Sequence, residues 1–328
     1  MDYIKLIGGL LLLVISGDYL VRGGVAIATK LKVSALVIGM TVVAFGTSAP
    51  EFLVSLQAAI KGNPEISIGN VIGSNIANIG LILGVTALIY PLVVARNSIR
   101  IDWPVMMGAT LAFLFAASDG RITRLEGWIG FAFLVVFTAY QIYNSRKQHV
   151  PEEEQEEKPA PIGLAIVYIV GSAVGLAYGA DFLIQGASNI AKSMGVSERI
   201  IGVTIVAFGT SLPELAASVS AAFKKQTDIA IGNIIGSNIF NILCVICLTS
   251  VVKPIPVAWN AFSYDFIWMA VFAFILILLV LPIRTALSKS YDTVGSKMAI
   301  LFEKGKLGRI GGALLVVMYI YYIYTLFG

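Results

Sequence analysis

Charged residues are scarce in this chain: they make up 13% of its 328 residues, whereas hydrophobic residues make up 58%. A soluble globular domain carries about a quarter charged residues. So little charge cannot cover the surface of a water-soluble globule. Apolar windows of about 20 residues, each long enough to cross a bilayer as a helix, recur along the whole length. These runs do not alternate polar with apolar residues, so helices rather than barrel strands are predicted.

Cysteine and histidine are also nearly absent, at two residues and one residue. The spacing of Cys244 and Cys247 fits a metal or redox pair, but no other Cys or His lies in a plausible position to complete such a site. Two small apolar side chains on one helix are the favoured interpretation. We therefore expect no cofactor.

The apolar windows predict ten transmembrane helices. Their expected ranges are 4–29, 35–60, 67–91, 102–118, 125–145, 162–191, 198–223, 229–252, 262–283 and 310–327. The first window contains Asp18 and Arg22 and has a counterpart later in the chain, so we interpret it as a structural helix rather than a signal peptide. Between helices, the acidic segment 146–161 is interpreted as a solvated linker, with a cation sensor as the alternative. The basic segment 284–309 is expected to face anionic cytoplasmic lipid.

Lys and Arg are distributed unevenly between the two sets of loops. Loops after odd-numbered spans hold 15 of them, and the other side holds 7. The positive-inside rule then places the odd loops in the cytoplasm and both termini outside, in the plasma membrane. In a membrane protein the placement of Lys and Arg indicates orientation, and the net charge of +4 says nothing about nucleic acid. The expected partners are the bilayer and inorganic cations. Neither nucleic acid nor an obligatory protein partner is indicated.

The strongest feature of the sequence is an internal repeat. Residues 39–79 align with 202–242 at a constant offset of 163, and 25 of the 41 positions are identical. Such self-similarity indicates a duplicated unit. The predicted domains are a first five-helix repeat at 1–145, the cytoplasmic linker 146–161 and a second five-helix repeat at 162–328. Because each unit has an odd number of spans, the second enters the membrane from the opposite side, as in many alternating-access transporters.

Each repeat carries the motif Gly-Thr-Ser-x-Pro-Glu in the middle of a span. Its residues are Gly46, Thr47, Ser48, Pro50 and Glu51, and then Gly209, Thr210, Ser211, Pro213 and Glu214. A carboxylate at membrane depth is costly and usually faces a partner or an aqueous cavity. Because two carboxylates occur in matched motifs among hydroxyls, a cation site is favoured over two structural hydrogen bonds.

The prolines of this motif predict bent helices. Proline lacks an N–H and clashes with the carbonyl four residues earlier, so Pro50 frees the carbonyl of Gly46 and Pro213 that of Gly209. Freed carbonyls at membrane depth require another partner. A hard cation can serve, since Na⁺ and Ca²⁺ both prefer oxygen ligands.

A second motif follows each first one, GNVIGSNIANIG and then GNIIGSNIFNIL. Its glycines are spaced by four and permit close helix packing; they are Gly69, Gly73, Gly232 and Gly236. Its Ser and Asn residues four apart share a helix face and are predicted to coordinate the cation; they are Ser74, Asn78, Ser237 and Asn241. The alternative is that they hydrogen-bond helices together. For Asn75 and Asn238, about 100° around the helix, structural support is the favoured role.

Charge balance limits what such a site can hold. Glu51 and Glu214 together carry two negative charges, which match one Ca²⁺. Several Na⁺ could occupy neighbouring oxygen sites instead, but not alongside Ca²⁺, and mutual exclusion of this kind is what an antiporter requires. No Lys or Arg lies in either motif, so no bound anion is expected.

These motifs resemble the two α-repeats of the cation/calcium antiporter superfamily, most closely its sodium/calcium exchanger branch. The signature regions are 39–84 and 202–247, and the resemblance covers nearly the whole chain. It implies an all-α integral membrane protein with about ten transmembrane helices. These form two inverted-topology five-helix repeats, with broken or kinked helices at the ion site. It also implies that the first and sixth spans slide against the other eight.

The resemblance implies individual roles. Glu51 and Glu214 would be shared by Ca²⁺ and Na⁺. Two mirrored Na⁺ sites would use Thr47, Ser48 and Ser74 with the carbonyl of Ala44, and Thr210, Ser211 and Ser237 with the carbonyl of Ala207. The carbonyls of Thr47 and Thr210 would contact Ca²⁺. Asn78 and Asn241 would line the centre, and some prokaryotic relatives have Asp in place of Asn241.

Na⁺/Ca²⁺ antiport is the expected function, with electrogenic Ca²⁺ extrusion if more than two Na⁺ replace each Ca²⁺. A proton- or potassium-linked exchanger on the same scaffold is the alternative, and a passive cation channel is a more distant one. An enzyme is not expected. Asp18 and Asp181 could be imagined as an intramembrane aspartyl-protease dyad, but repeat symmetry already explains the pair. They could also gate ion entry or pair with Arg22 or a backbone donor.

Overall fold

A computed structural model describes residues 2–147, 160–195, 209–281 and 305–326. Nearly all of them are helical, because helices satisfy their own backbone hydrogen bonds where a bilayer offers no partners. The helices in these ranges are α1 (Asp2–Leu31), α2 (Ala35–Thr47), α3 (Ala49–Ile60), α4 (Pro64–Ile89), α5 (Ser98–Ser118), α6 (Arg124–Lys147), α7 (Ile162–Ser193), α8 (Leu212–Phe223), α9 (Thr227–Val252), α10 (Trp259–Val280) and α11 (Arg309–Leu326).

Eight of these helices are long and apolar enough to cross a membrane, and α2 with α3 forms a further span bent by 47°. The short helix α8 matches α3 at the offset of 163, and it completes the ten-span, inverted-repeat architecture. The start of its span at 196–208 lies outside the described residues, as do most of the acidic linker and of the basic loop. Span boundaries differ from the predicted ones by a few residues: α4 begins at Pro64 rather than 67, and α5 at Ser98 rather than 102.

The bend predicted at the proline motif is a complete break. Helix α2 ends at Thr47, and α3 begins at Ala49 with Pro50 in its first turn. Ser48 between them has φ −87° and ψ 5°, and Ser211 before α8 has φ −88° and ψ 5°, so both copies start the second helix in the same conformation. A proline in the first turn removes no helical hydrogen bond. The motif therefore starts a new helix in mid-membrane.

Four stretches of π-helix occur in the described residues: one, Ser98–Asp102, starts α5, and the other three lie in helices that carry the repeated motifs. These three are Gly39–Val43 in α2, Asn78–Leu83 in α4 and Asn241–Ile246 in α9. Single π-helical turns inside α-helices are frequent at functional sites. In α4 and α9 the π-helical stretch begins at a predicted ligand, Asn78 or Asn241. The second motif therefore lies where the backbone changes its pitch.

Glycines allow α2 and α9 to pack with their backbones in contact. A Cβ atom on Gly236 would lie 2.6 Å from both Cα and the carbonyl oxygen of Met40, and one on Gly232 would lie 2.6 Å from the carbonyl oxygen of Leu36. The predicted role of Gly232 and Gly236 is confirmed. For Gly69 and Gly73 it stays a prediction, because a Cβ atom on Gly73 meets no described atom within 4 Å and the repeat-matched neighbours, at 199–203, lie outside the described residues. Because α2 belongs to the first repeat and α9 to the second, this contact places motif residues of both repeats side by side.

Two short β-ribbons also join the repeats. β1 (Leu92–Val94) pairs antiparallel with β4 (Gly305–Leu307), and β2 (Arg121–Ile122) pairs antiparallel with β3 (Ile255–Pro256). The strand after α4 thus pairs with the strand before α11, and the strand after α9 pairs with the strand before α6. In both ribbons a strand of one repeat pairs with a strand of the other.

Helices α1 and α7, the first and sixth spans, contact each other more extensively than any other two helices. The backbones touch at Gly9, where a Cβ atom would lie 2.7 Å from the carbonyl oxygen of Gly179. Asp18 of α1 forms an ion pair with Arg22 at 2.8 Å, which was one of the expected alternatives. Asp18 also forms an ion pair with Lys224, at the end of α8, at 2.6 Å.

We predict that Gly236→Ala destabilises the protein. The added methyl group would overlap the Met40 backbone, and overpacking of a tight core costs about 1–3 kcal/mol. Gly108→Ala is the matched control, because a Cβ atom there meets no described atom within 4 Å. Thermal unfolding of the purified protein in detergent measures both. Equal midpoints for the two variants would contradict the α2–α9 contact.

Candidate cation-binding site

Two glutamates are buried at the centre of the molecule. Glu51 lies in the first turn of α3 and Glu214 in the first turn of α8, and each is 1% exposed. The two carboxylates are close enough to repel each other electrostatically. The N-terminus of a helix carries a partial positive charge, which stabilises a carboxylate in its first turn. The helix breaks therefore supply part of the stabilisation that two buried acids require.

Hydroxyl groups of both repeats surround Glu214. Ser48 Oγ donates to Glu214 Oε1 at 2.9 Å, and Ser237 Oγ lies 3.5 Å from the same oxygen. Thr47 Oγ1 is 3.5 Å from Ser237 Oγ and donates to Asn233 Oδ1 at 3.1 Å. The structure thus brings Thr47 and Ser48 of the first motif together with Glu214 and Ser237 of the second repeat.

Asn70 and Asn233 hold the two glutamate turns in place, a role that the sequence analysis missed. Asn70 Nδ2 donates to the Glu51 carbonyl at 3.2 Å and to Ser55 Oγ at 2.9 Å. Asn233 repeats both contacts, to the Glu214 carbonyl at 3.3 Å and to a serine hydroxyl at 3.0 Å. A signal was available, because both asparagines are identical at the offset of 163 and follow the first glycine of the second motif.

The central asparagines meet across the repeat interface. Asn78 Nδ2 donates to Asn238 Oδ1 at 3.2 Å, and Asn241 Nδ2 donates to Asn75 Oδ1 at 3.2 Å. All four side chains are buried, at 0–2% exposure. Asn75 and Asn238 thus bind the predicted ligands through their own oxygens, in agreement with the supporting role expected for them.

Several buried oxygens around the glutamates have no hydrogen-bond partner within the described residues. They are Glu51 Oε2, Glu214 Oε2, Asn78 Oδ1, Asn241 Oδ1, Thr210 Oγ1 and Ser211 Oγ. A buried acceptor without a partner is costly, so a set of them indicates a site for something that binds oxygen. Carboxylate, amide and hydroxyl oxygens are the ligands of hard cations such as Ca²⁺. The arrangement is therefore chemically suited to hold a desolvated cation.

The two halves of the site are engaged differently. Ser48 Oγ is bonded to Glu214, whereas its repeat counterpart Ser211 Oγ has no partner among the described residues. The carbonyl of Ala44 accepts the N–H of Ser48 at 2.9 Å and the hydroxyl of Thr47 at 3.3 Å. Ser74 lies buried one turn before Asn78. The predicted ligand Ala207 lies outside the described residues.

A second pair of repeat-matched acids was also missed. Asp102 lies in the second turn of α5 and is bonded by Gln141 of α6; Asp265 of α10 accepts the hydroxyl of Tyr322 at 2.8 Å. The two aspartates are 163 residues apart, so the repeat could have revealed them. Cys244 and Cys247 are both free and buried, as expected for small apolar side chains.

Fold and site together define a class: a multi-pass membrane transporter of cations built from two inverted repeats. The chain belongs to the sodium/calcium exchanger family, since the family model described as sodium/calcium exchanger protein matches residues 2–143 and 164–328. It is accordingly an antiporter of the cation/Ca²⁺ type rather than an enzyme, and the ions are its substrates.

Individual relatives also match most of the chain. The CaxA protein of Alkalimonas amylolytica is 37% identical, covering 97% of this chain and 96% of that one. The sodium/calcium exchanger MaX1 of Methanosarcina acetivorans is 34% identical, covering 78% and 85%. A solved structure of the sodium-calcium exchanger NCX_Mj, soaked with Na⁺ and Sr²⁺, superposes with a TM-score of 0.79 at 30% identity, covering 98% and 97%.

We predict that Glu51→Gln and Glu214→Gln each weaken Ca²⁺ binding by roughly 100-fold or more, since each removes one of two buried charges that a divalent ion would neutralise. Equilibrium binding of ⁴⁵Ca²⁺ to the purified protein measures the change. Glu65→Gln, on the exposed first turn of α4, is the control for a general loss of negative charge. Wild-type affinity in both site variants would remove these glutamates from the site.

Proposed function

We propose that this protein exchanges Na⁺ for Ca²⁺ across the plasma membrane, with Na⁺ entering and Ca²⁺ leaving the cell. The observation that carries the proposal is the pair of buried glutamates ringed by unpartnered neutral oxygens. Two fixed negative charges match one Ca²⁺, and the surrounding hydroxyls and amides offer separate places for monovalent ions. Occupation by one kind of ion then excludes the other.

The ligand set that we propose combines both repeats. Glu51 and Glu214 are shared by both ions. The flanking Na⁺ positions use Thr47, Ser48, Ser74 and Ala44 on one side and Thr210, Ser211, Ser237 and Ala207 on the other, and Asn78 and Asn241 line the centre. If more than two Na⁺ replace each Ca²⁺, each cycle moves net positive charge in the direction of Na⁺. Extrusion of Ca²⁺ is then driven by the membrane potential as well as by the Na⁺ gradient.

Alternating access is the proposed mechanism, and the charge pairs of α1 and α7 support it. Asp18 of α1 pairs with Lys224, whereas its repeat counterpart Asp181 of α7 accepts from Gln185 at 2.7 Å. The counterpart of Lys224 is Lys61, which has an exposed side chain. In an inverted repeat, exchanging the conformations of the two halves exchanges these pairs. We infer that Asp181 pairs with Lys61 when the protein faces the opposite side.

With the basic loops in the cytoplasm and both termini outside, the Asp18–Lys224 pair lies toward the cytoplasmic side. This conformation then has the cytoplasmic side closed, and the extracellular side lacks the matching pair. The assignment follows from the positive-inside rule, because the loops placed in the cytoplasm hold 15 Lys and Arg residues and the other side holds 7.

The first test is ion flux in reconstituted vesicles. Na⁺-loaded proteoliposomes diluted into Na⁺-free medium are expected to take up ⁴⁵Ca²⁺ with saturation, because outward Na⁺ movement drives the exchange. An inside-positive potential set by K⁺ and valinomycin is expected to accelerate uptake if more than two Na⁺ leave per Ca²⁺. Uptake that ignores the Na⁺ gradient but follows a proton or K⁺ gradient would establish the alternative exchanger, and uptake without any counter-ion would indicate a channel.

The second test traps the two conformations. In a chain carrying Cys244→Ala and Cys247→Ala, the pair Asp18→Cys with Lys224→Cys and the mirrored pair Lys61→Cys with Asp181→Cys are each treated with a short bis-methanethiosulfonate reagent. Both pairs are expected to cross-link and to arrest Na⁺-driven Ca²⁺ flux reversibly, because each bridge holds one facing state. Cross-linking of the first pair alone, with or without Na⁺ and Ca²⁺, would argue against the exchange of pairs.

A further inference from the structure

Asn75 and Asn238 lie beside the candidate cation site and contact its central ligands, Asn241 and Asn78. The side-chain oxygens of Asn75 and Asn238 are used in these contacts. We propose that these two asparagines are positioning residues that fix the orientation of the Asn78 and Asn241 amides, so that each turns its carbonyl oxygen, and not its N–H₂ group, toward the cation. The inference rests on the proposed cation site and names the residues that set the polarity of its neutral ligands.

The contacts form two matched hydrogen-bond chains, each made of three side chains. In the first, Met106 Sδ accepts from Asn238 Nδ2 at 3.6 Å, and Asn238 Oδ1 accepts from Asn78 Nδ2 at 3.2 Å. In the second, Met269 Sδ accepts from Asn75 Nδ2 at 3.6 Å, and Asn75 Oδ1 accepts from Asn241 Nδ2 at 3.2 Å. Every member of the second chain is 163 residues from its counterpart in the first, and the methionines lie outside both sequence motifs.

The sulfur atom gives each chain its direction. A side-chain amide has a donor end and an acceptor end of nearly the same shape, so its orientation depends on its partners. A thioether sulfur can accept a hydrogen bond but cannot donate one. Met106 therefore favours the N–H₂ end of Asn238, which leaves Asn238 Oδ1 to accept from Asn78. The N–H₂ end of Asn78 is then used, and its Oδ1 remains free.

The side-chain oxygens at the ends of the two hydrogen-bond chains belong to the candidate cation site. Within the part of the chain that the structure describes, Asn78 Oδ1 and Asn241 Oδ1 are both buried without a partner, as are one oxygen of Glu51 and one of Glu214. A reversed amide would instead direct its N–H₂ group at the cation, and the electrostatic interaction would change from attraction to repulsion. Each hydrogen-bond chain thus provides the cation with a neutral oxygen ligand, and the negative charge of the pocket remains that of Glu51 and Glu214.

The test measures ⁴⁵Ca²⁺ binding to the purified full-length protein in Na⁺-free buffer. Asn238→Leu roughly keeps the side-chain volume but removes the acceptor that orients the Asn78 amide. The Asn78 oxygen is then no longer held toward the cation. Ca²⁺ affinity is expected to fall by about tenfold, the scale of one lost polar contact with a charged group. In an Asn78→Asp background both side-chain oxygens are acceptors and no wrong orientation exists. There the side chain at position 78 no longer donates to Asn238 Oδ1, so Asn238→Leu is expected not to weaken Ca²⁺ binding. Asn75→Leu in an Asn241→Asp background is the mirrored experiment.

A milder change serves if Asn238→Leu does not fold. Met106→Leu removes only the sulfur acceptor and is expected to weaken Ca²⁺ binding by about threefold, less than the loss of a full hydrogen bond. Met107→Leu, on the next position of α5 and outside the chain of contacts, is the control and is expected to bind as the wild type does.

Each outcome decides the proposal. Equal losses from Asn238→Leu in both backgrounds mean that it supports only the packing, and wild-type affinity for Asn238→Leu and Met106→Leu means that no orientation is enforced; either result overturns the inference. Because binding needs no counter-ion, the inference survives if flux is not driven by Na⁺, which would refute the proposed function alone. A wild-type protein that does not bind Ca²⁺ would overturn both.

Discussion

Two carboxylates buried in the middle of a membrane protein are the constraint on which the rest of this structure depends. Moving one such charge out of water costs several kcal/mol even after the protein relaxes, and Glu51 and Glu214 lie near each other at 1% exposure. Each glutamate accordingly occupies the first turn of a helix that starts in mid-membrane. The proline motif exists to make that start possible, and the hydroxyls and amides gathered around it complete a shell that suits a cation.

The two-fold repetition of the sequence explains how one pocket obtains ligands from both halves. Inversion brings the two motifs to the same depth from opposite sides, and the glycine contact of α2 with α9 lets them meet. The two β-ribbons, each of which joins a strand of one repeat to a strand of the other, hold this arrangement. Because the helix contact and both ribbons connect the two repeats, the site between them is held by contacts from each repeat.

Symmetry in sequence does not produce symmetry in contacts. Ser48 is bonded to Glu214, whereas Ser211 Oγ has no partner in the described ranges. Asp18 pairs with Lys224, whereas Asp181 accepts from Gln185 on its own helix. One chain in one conformation cannot satisfy both halves equally if each half must open in turn. The inequality of matched residues is the structural feature that supports alternating access most directly.

The resemblance and the repeat together predicted most residues of the candidate site, because the residue types that suit a cation are local to the motifs. The glutamates, their hydroxyl neighbours and the asparagines Asn78 and Asn241 could be named from spacing and residue type alone. Contacts from outside the motifs could not be named. Met106 and Met269 are ordinary apolar residues in sequence, and only their packing shows that each accepts from an asparagine.

The amino-acid sequence by itself determined that this chain lies in a membrane, that it consists of two related units, and that each unit carries a buried acid behind a proline. Those conclusions follow from composition, from the period of the repeat and from the covalent chemistry of proline, none of which requires coordinates. The tertiary structure decided which atoms face each other: the orientation of the amides, the role of Asn70 and Asn233, and the pairing of Asp18 with Lys224. These depend on distances between residues far apart in the chain, which the packing of one helix against another fixes.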